Sequence, residues 1–214
     1  MSKQKMMLDE LITRYPALAV CMEDIRAAYD MLSECYLYDG KLLVAGNGGS
    51  AADAEHIVGE LMKAFRKRRH IDSEICNKIM AVHSELGADL CQRLQGALPA
   101  IALTEHAALS TACLNDISGT IGFAQQVLGY GREKDVFLGI TTSGNSQNIL
   151  NAIVTARAKG MRAIVLTGRD GGKAKDLADI SIIVPEHETY KIQELHLPIY
   201  HTLCLMLEDR FFES

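Results

Sequence analysis

His56 and Glu60 stand four residues apart, a spacing that puts both on one helix face, where an imidazole and a carboxylate can hold a divalent metal or work as a hydrogen-bonded acid/base pair. A second set lies in IQELHLPIYH (192–201), which contains Gln193, Glu194, His196 and His201. Glu194 and His201, seven apart, share a face; Gln193 lies about 80° round from His201 and converges with it if Pro198 kinks the helix. His196 points elsewhere and reads as structural.

Two polar turns complete the inventory. GNGGS (46–50) supplies Asn47, Gly48, Gly49 and Ser50, and TTSGNS (141–146) supplies Thr141, Thr142, Ser143 and Ser146. Each precedes a helical stretch, whose first N–H groups and dipole favour an anion. A helix cap accounts for one or two of the four hydroxyls in the second turn, so the remainder point to a bound phosphate. Nucleotide fingerprints are missing: there is no GxxxxGK[ST], and GNGGSA is not followed by an acidic residue at the end of a second strand about 20 positions later. A sugar phosphate needs neither.

The elements that must position these groups follow from the apolar pattern. KLLVAG (41–46), AIALT (100–104), VFLGI (136–140), RAIVLT (162–167) and DISIIV (179–184) are nearly continuous in apolar residues, as in parallel strands covered by helices on both faces. Helical periodicity over 50–65, 145–159 and 172–178 alternates with them, which predicts a doubly wound α/β fold with a five-stranded sheet. Both turns then sit at the carboxyl ends of strands, where such sheets bind ligands. Residues 1–38 read as a helical hairpin broken near Pro16, and 189–212 as a terminal helix; outside the sheet, both are expected to serve an oligomer. The stretch 67–98 reads as a helical insertion, with helical material over Ile75 to Leu94. A crossover of that length forms a lid or an oligomer contact.

With 214 residues the chain fits one domain, and no apolar run reaches the roughly 20 residues that cross a bilayer. MSKQKMMLDELITRYP carries acidic residues where a signal peptide has its apolar region, which predicts no export. The net charge of −5 gives no general attraction to nucleic acid. RKRR (66–69) reads as a solvated face, against the sharper reading of a contact to an anionic substrate or a neighbouring subunit. Six cysteines without a CxxC pair argue against a zinc knuckle and a disulfide framework, and are expected to be reduced and mostly buried.

GNGGSAADAEH, TTSGNSQNIL, VLTGRDGG (165–172) and IQELHLPIYH, in this order, resemble the SIS (sugar isomerase) family and within it the phosphoheptose isomerases. The resemblance covers most of 5–212 and is weakest over 67–98, where this chain carries about 20 extra residues. It implies a cytoplasmic homotetramer that converts D-sedoheptulose 7-phosphate to D-glycero-D-manno-heptose 7-phosphate. It also implies one zinc per subunit on His56, Glu60, Gln193 and His201, and Glu60 and His201 as the catalytic pair. Substrate contacts carry over to Asn47, Gly48, Gly49, Ser50, Glu60, Asn115, Asp116, Thr141, Thr142, Ser143, Ser146 and Gln193. Tyr190 and Lys191 stand where the family often has an Asp or a small polar residue, and LMKAF after Glu60 lacks an arginine that many members show. Two other readings stay open: an isomerase of a different sugar phosphate, and a non-catalytic SIS protein that senses a sugar phosphate or binds another protein.

Overall fold

Five parallel strands, β1 (Leu42–Gly46), β2 (Ala100–Ala102), β3 (Val136–Ile140), β4 (Arg162–Thr167) and β5 (Ile180–Ile183), form one sheet in the order β2-β1-β3-β4-β5 in the computed structural model, which describes residues 3–212. Residues 1–2 and 213–214, which the single-domain reading includes, lie outside the described residues. The helices are α1 (Lys3–Arg14), α2 (Met22–Leu37), α3 (Gly49–Met62), α4 (Ser73–Val82), α5 (Ser84–Arg93), α6 (Ala107–Asp116), α7 (Gly122–Tyr130), α8 (Gln147–Ala158), α9 (Ala174–Leu177) and α10 (Thr189–Phe211). A short 3-10 helix, Pro16–Cys21, joins α1 to α2 at the predicted break.

Alternation along buried strands divides the core into two layers. Leu42, Val44, Leu138, Ile140, Ile164 and Leu166 face one side and pack with Leu18, Ile25, Ile57, Ile199 and Leu207 from the N-terminal helices, α3 and α10. Leu43, Ala45, Phe137, Ala163 and Val165 face the other side, against Val127 of α7 and Ile149 and Ile153 of α8. The terminal helices and α3 therefore share one layer, and α10 is brought alongside α3.

Strand order reverses between β1 and β3, whose ends are in register, Gly46 opposite Ile140. The loops after these two strands emerge side by side, as at the switch point of a doubly wound sheet. Gly48 opens α3 with φ 57° and ψ −120°, angles that an L side chain rarely adopts. Gly144, at φ 66°, lets the TTSGNS loop meet the next loop: a Cβ there would stand 1.9 Å from the carbonyl oxygen of Gly171.

Two features differ from the sequence-based expectations. The segment between β2 and β3 holds α6 and α7, which periodicity did not reveal; α6 buries only Cys113 and shows no apolar stripe. The insertion is an exposed hairpin: α4 has no buried residue and α5 only Gly87. Cys76 and Cys91 form a disulfide across it, contrary to the expectation that all six cysteines are reduced, while Cys21, Cys35, Cys113 and Cys204 are free and buried. Their spacing of 15 residues resembles no disulfide pattern because the bridge spans two antiparallel helices, with the Cα atoms 5.5 Å apart. No helix among the described residues is long and apolar enough to cross a membrane.

Candidate functional site

His56 and Glu60 lie in the second half of α3, and their i, i+4 spacing brings His56 Nε2 to 3.2 Å from Glu60 Oε1. From α10, His201 Nε2 comes within 3.5 Å of His56 Nε2, so residues 145 apart in the chain meet at one point. Burial and the neighbouring His56 lower the His201 pKa, which favours a neutral imidazole. Phe65 packs at 5.4 Å from the His201 ring.

Asp53 and Tyr200 form a second layer behind the pair. Tyr200 donates to Asp53 Oδ1 at 3.1 Å, and its oxygen lies 3.1 Å from His56 Nδ1. Burial raises the Asp53 pKa, and the Tyr200 hydrogen bond opposes that rise. A hydroxyl has one proton; once Asp53 takes it, the Tyr200 oxygen accepts Nδ1–H of His56 and leaves the His56 Nε2 lone pair free. That lone pair faces Glu60 Oε1 at 3.2 Å and His201 Nε2 at 3.5 Å, a contact that a proton on His201 Nε2 or a bound cation relieves.

Glu60 Oε2 is buried without a hydrogen-bond partner; its nearest cation is Lys63 Nζ at 3.9 Å. Two imidazoles and a carboxylate with an orphaned oxygen suit zinc as a donor set. As placed, the side chains touch one another without enclosing a point: among the described residues no group of three or more His, Cys, Asp or Glu is arranged to hold a metal ion. Gln193 makes its contact elsewhere, against Gly49, where a Cβ would stand 2.7 Å from its Nε2. Since α10 rises about 1.5 Å per residue, Gln193 lies about 12 Å up the axis from His201. Helices α3 and α10 thus run side by side in the same direction, Gln193 beside Gly49 and His201 beside His56. His196 is fully buried, its Nε2 3.3 Å from the carbonyl of Thr167, and burial lowers its pKa to about 4.

The loops at the switch point form a cleft of about 330 Å³ lined by Gly46, Asn47, Gly48, Ala51, Thr104, Ser118, Phe123 and Asn148 among others. Asn47 and Asn148 exchange two amide hydrogen bonds, 3.0 and 2.8 Å, and Thr104 donates to Glu55 at 3.0 Å. Beside it, the Thr141 and Ser146 hydroxyls are 3.0 Å apart at the start of α8, Ser143 Oγ accepts from the Asn145 N–H, and Ser50 is buried in the first turn of α3. Asn115 and Asp116 are not brought into this cleft. The wall of α6 is made by Ser110 and Leu114, one turn apart, whereas 115 and 116 lie about 100° and 200° further round and bond to each other at 2.8 Å on the exposed side. Glu60 does not line it either; His201 borders a separate cleft of about 310 Å³ with Arg14, Tyr15, Phe65, Arg66 and Pro198. α3 connects the two, and from Ser50 to His56 it rises about 9 Å. Sequence reasoning missed Asp53, Glu55, Thr104, Asn148 and Tyr200; Asp53, one turn before His56, and Tyr200, beside His201, were the only ones with a positional signal.

A family model of the SIS domain matches residues 16–88 and 78–168. Phosphoheptose isomerases of Leptospira biflexa (strain Patoc 1 / Ames) and Coxiella burnetii (strain RSA 331) are 37% and 36% identical to this chain over 209 residues, covering 98% and 96% of it and 95% and 92% of their own length. Among solved structures, phosphoheptose isomerase GmhA from Neisseria gonorrhoeae superposes with a TM-score of 0.72 at 33% identity, over 93% of this chain and 94% of its own. A phosphoheptose isomerase from Francisella tularensis gives 0.72 at 32% identity, over 97% and 98%. The chain belongs to the SIS domain family, among the phosphoheptose isomerases.

Proposed function

We infer that this protein is an aldose–ketose isomerase that converts D-sedoheptulose 7-phosphate to D-glycero-D-manno-heptose 7-phosphate through an enediol. The observation that carries the reading is the meeting of His56 and Glu60 on α3 with His201 on α10. A phosphate seated at the first N–H groups of α8 and the hydroxyls of Ser50, Thr141, Thr142, Ser143 and Ser146 leaves the far end of a seven-carbon chain to run along α3, about 9 Å to His56. Asn47, Gly48 and Gly49 line that path.

Ketose-to-aldose conversion moves one proton between C1 and C2 and one between their oxygens, which needs a base over the carbons and an acid near the oxygens. Glu60, with Oε2 unpaired, takes the proton from C1 and returns it to C2. His201, favoured neutral by its surroundings, opens the sugar ring and shuttles the proton between the oxygens. Tyr200 and Asp53 fix the His56 ring. We propose that His56, Glu60, Gln193 and His201 would hold one zinc per subunit, which would supply Lewis-acid polarisation of the substrate oxygens.

The assembly we propose is a homotetramer. Its support is the exposure of apolar side chains at both ends of α2, Val20 (73% exposed) before it and Leu37 (56%) and Tyr38 (58%) at its close. We place the reaction in the cytoplasm; the hairpin that Cys76 and Cys91 bridge contributes no residue to either cleft. The test is a panel of ketose phosphates in deuterated water with the purified, metal-analysed protein. Deuterium entering C2 of the product with sedoheptulose 7-phosphate supports the assignment. Exchange with another sugar only reassigns the substrate, and no exchange with any sugar refutes the catalytic reading.

A further inference from the structure

Arg69 ends the basic run that reads in sequence as a solvated face, yet its side chain is 0% exposed. Its guanidinium makes three bonds: Nε to Glu208 Oε1 at 2.8 Å, Nη1 to the Leu61 carbonyl at 2.7 Å and Nη2 to the Glu60 carbonyl at 2.8 Å. The last carbonyls of a helix have no partner within it, and this side chain serves two of them at the end of α3, Leu61 also accepting the Leu98 N–H at 3.0 Å. The Phe212 ring lies 4.6 Å over the guanidinium. Glu208, equally buried, also accepts the backbone N–H groups of Phe65, Arg66 and Lys67 at 2.9, 2.9 and 3.1 Å. Burial acts to raise its pKa, and these donors with Arg69 outweigh burial and hold it below the ordinary range.

Glu208 is two helical turns beyond His201, at i+7, on the same face of α10. One planar fork therefore ties the peptide of Glu60 to the helix that carries His201. A buried ion pair is poor evidence of stability, because apolar replacements of such pairs are often neutral or better. The planar guanidinium, with one nitrogen on the carboxylate and two on the carbonyls, serves orientation, which Lys does not reproduce.

We propose that Arg69 and Glu208 are positioning residues of the isomerase, setting the distance between the Glu60 carboxylate and the His201 imidazole by locking the end of α3 to α10. The proposal rests on the reading of Glu60 as the base. A loosening of about 1 Å at such a pair costs up to about a hundredfold in rate. The fork reaches neither loop of the phosphate cleft, so the loss falls on kcat and not on KM.

The test compares full-length Arg69→Lys, Glu208→Gln and Glu60→Gln, each checked for secondary structure and Tm. Arg69→Lys retains the charge beside Glu208 but cannot serve both carbonyls; its kcat should fall about tenfold to a hundredfold, assayed well below its Tm, with KM within about threefold. Glu208→Gln keeps an acceptor for the N–H groups and should show the same split, which preserves the test if Arg69→Lys does not fold. A lowered Tm with wild-type kcat in either folded variant makes the fork merely structural and overturns the proposal, as does a KM rise that matches the loss in kcat/KM. Should Glu60→Gln turn over at the wild-type rate, the reading of the base falls and the proposal with it. An inactive Glu60→Gln beside fully active fork variants overturns the proposal alone.

Discussion

Tyr200→Phe removes one oxygen and leaves the shape of the ring, so its effect isolates the hydroxyl that joins Asp53 to His56. In the native protein this hydroxyl donates to Asp53 and accepts from His56 Nδ1, both at 3.1 Å. Without it, Asp53 Oδ1 joins Oδ2, which already lacks a partner, and the His56 ring loses the contact that fixes its tautomer. A hydrogen bond to a charged group contributes about 1.5–3 kcal/mol. If that energy goes into orienting His56, the loss corresponds to about tenfold to a hundredfold in rate at roughly 1.4 kcal/mol per decade. Outer partners of metal-binding histidines give the same range in metal affinity or activity. The two routes agree. Because the Tyr200 bond lowers the Asp53 pKa against burial, its removal lets Asp53 rise further, and a protonated Asp53 gives His56 no support. The assay is steady-state isomerisation of sedoheptulose 7-phosphate, with zinc retention measured by chelator competition and folding by thermal denaturation. The expected outcome is a kcat/KM lowered about tenfold to a hundredfold, weaker zinc retention and a Tm lower by a few degrees. Wild-type values for both turnover and metal retention would refute the relay.

Further expectations concern the phosphate end and the acid limb of stability. Ser146→Ala removes one of two hydroxyls that face each other at the start of α8, so KM should rise several-fold with kcat nearly unchanged; a pure kcat loss would contradict its anchoring role. Glu208 binds its proton less readily in the folded chain than its ordinary value of 4.5 implies. Its contribution is therefore complete above that value and disappears as pH falls through the lower folded value. His196, lowered from 6.5 to about 4 by burial, adds the same sign over the window between those values. Urea denaturation from pH 7 to 3 should show stability falling first between about pH 6.5 and 4. A curve that is flat to pH 4 would show that His196 is not held neutral in the fold.

Much of this architecture can be read from residue patterns. Runs such as VFLGI are apolar at every position because both faces of the sheet are covered, and this marks β1, β3 and β4 to within a residue or so. The helix α6 escapes because ALSTACLND packs one cysteine and otherwise faces solvent, so no stripe develops. His56 and Glu60 are legible since their spacing alone puts them on one face. Beyond its place next to His201, Tyr200 shows no role in the sequence, and neither does Arg69: they acquire their roles from Asp53 and Glu208, 147 and 139 residues away. The phase of α6 likewise decides that Ser110 and Leu114 line the cleft in place of Asn115 and Asp116, and phase depends on where the helix is docked.

The most direct test of the central claim is solvent deuterium exchange into C2 by Glu60→Gln, run with the metal content of both proteins measured and with binding of the sugar phosphate verified by calorimetry. The account predicts that binding survives within a few-fold while exchange and net isomerisation both fall by at least three orders of magnitude. Exchange at the native rate in a variant that binds normally would contradict it, because the carbon-bound proton would then be moved by a group other than the carboxylate that meets His56 and His201.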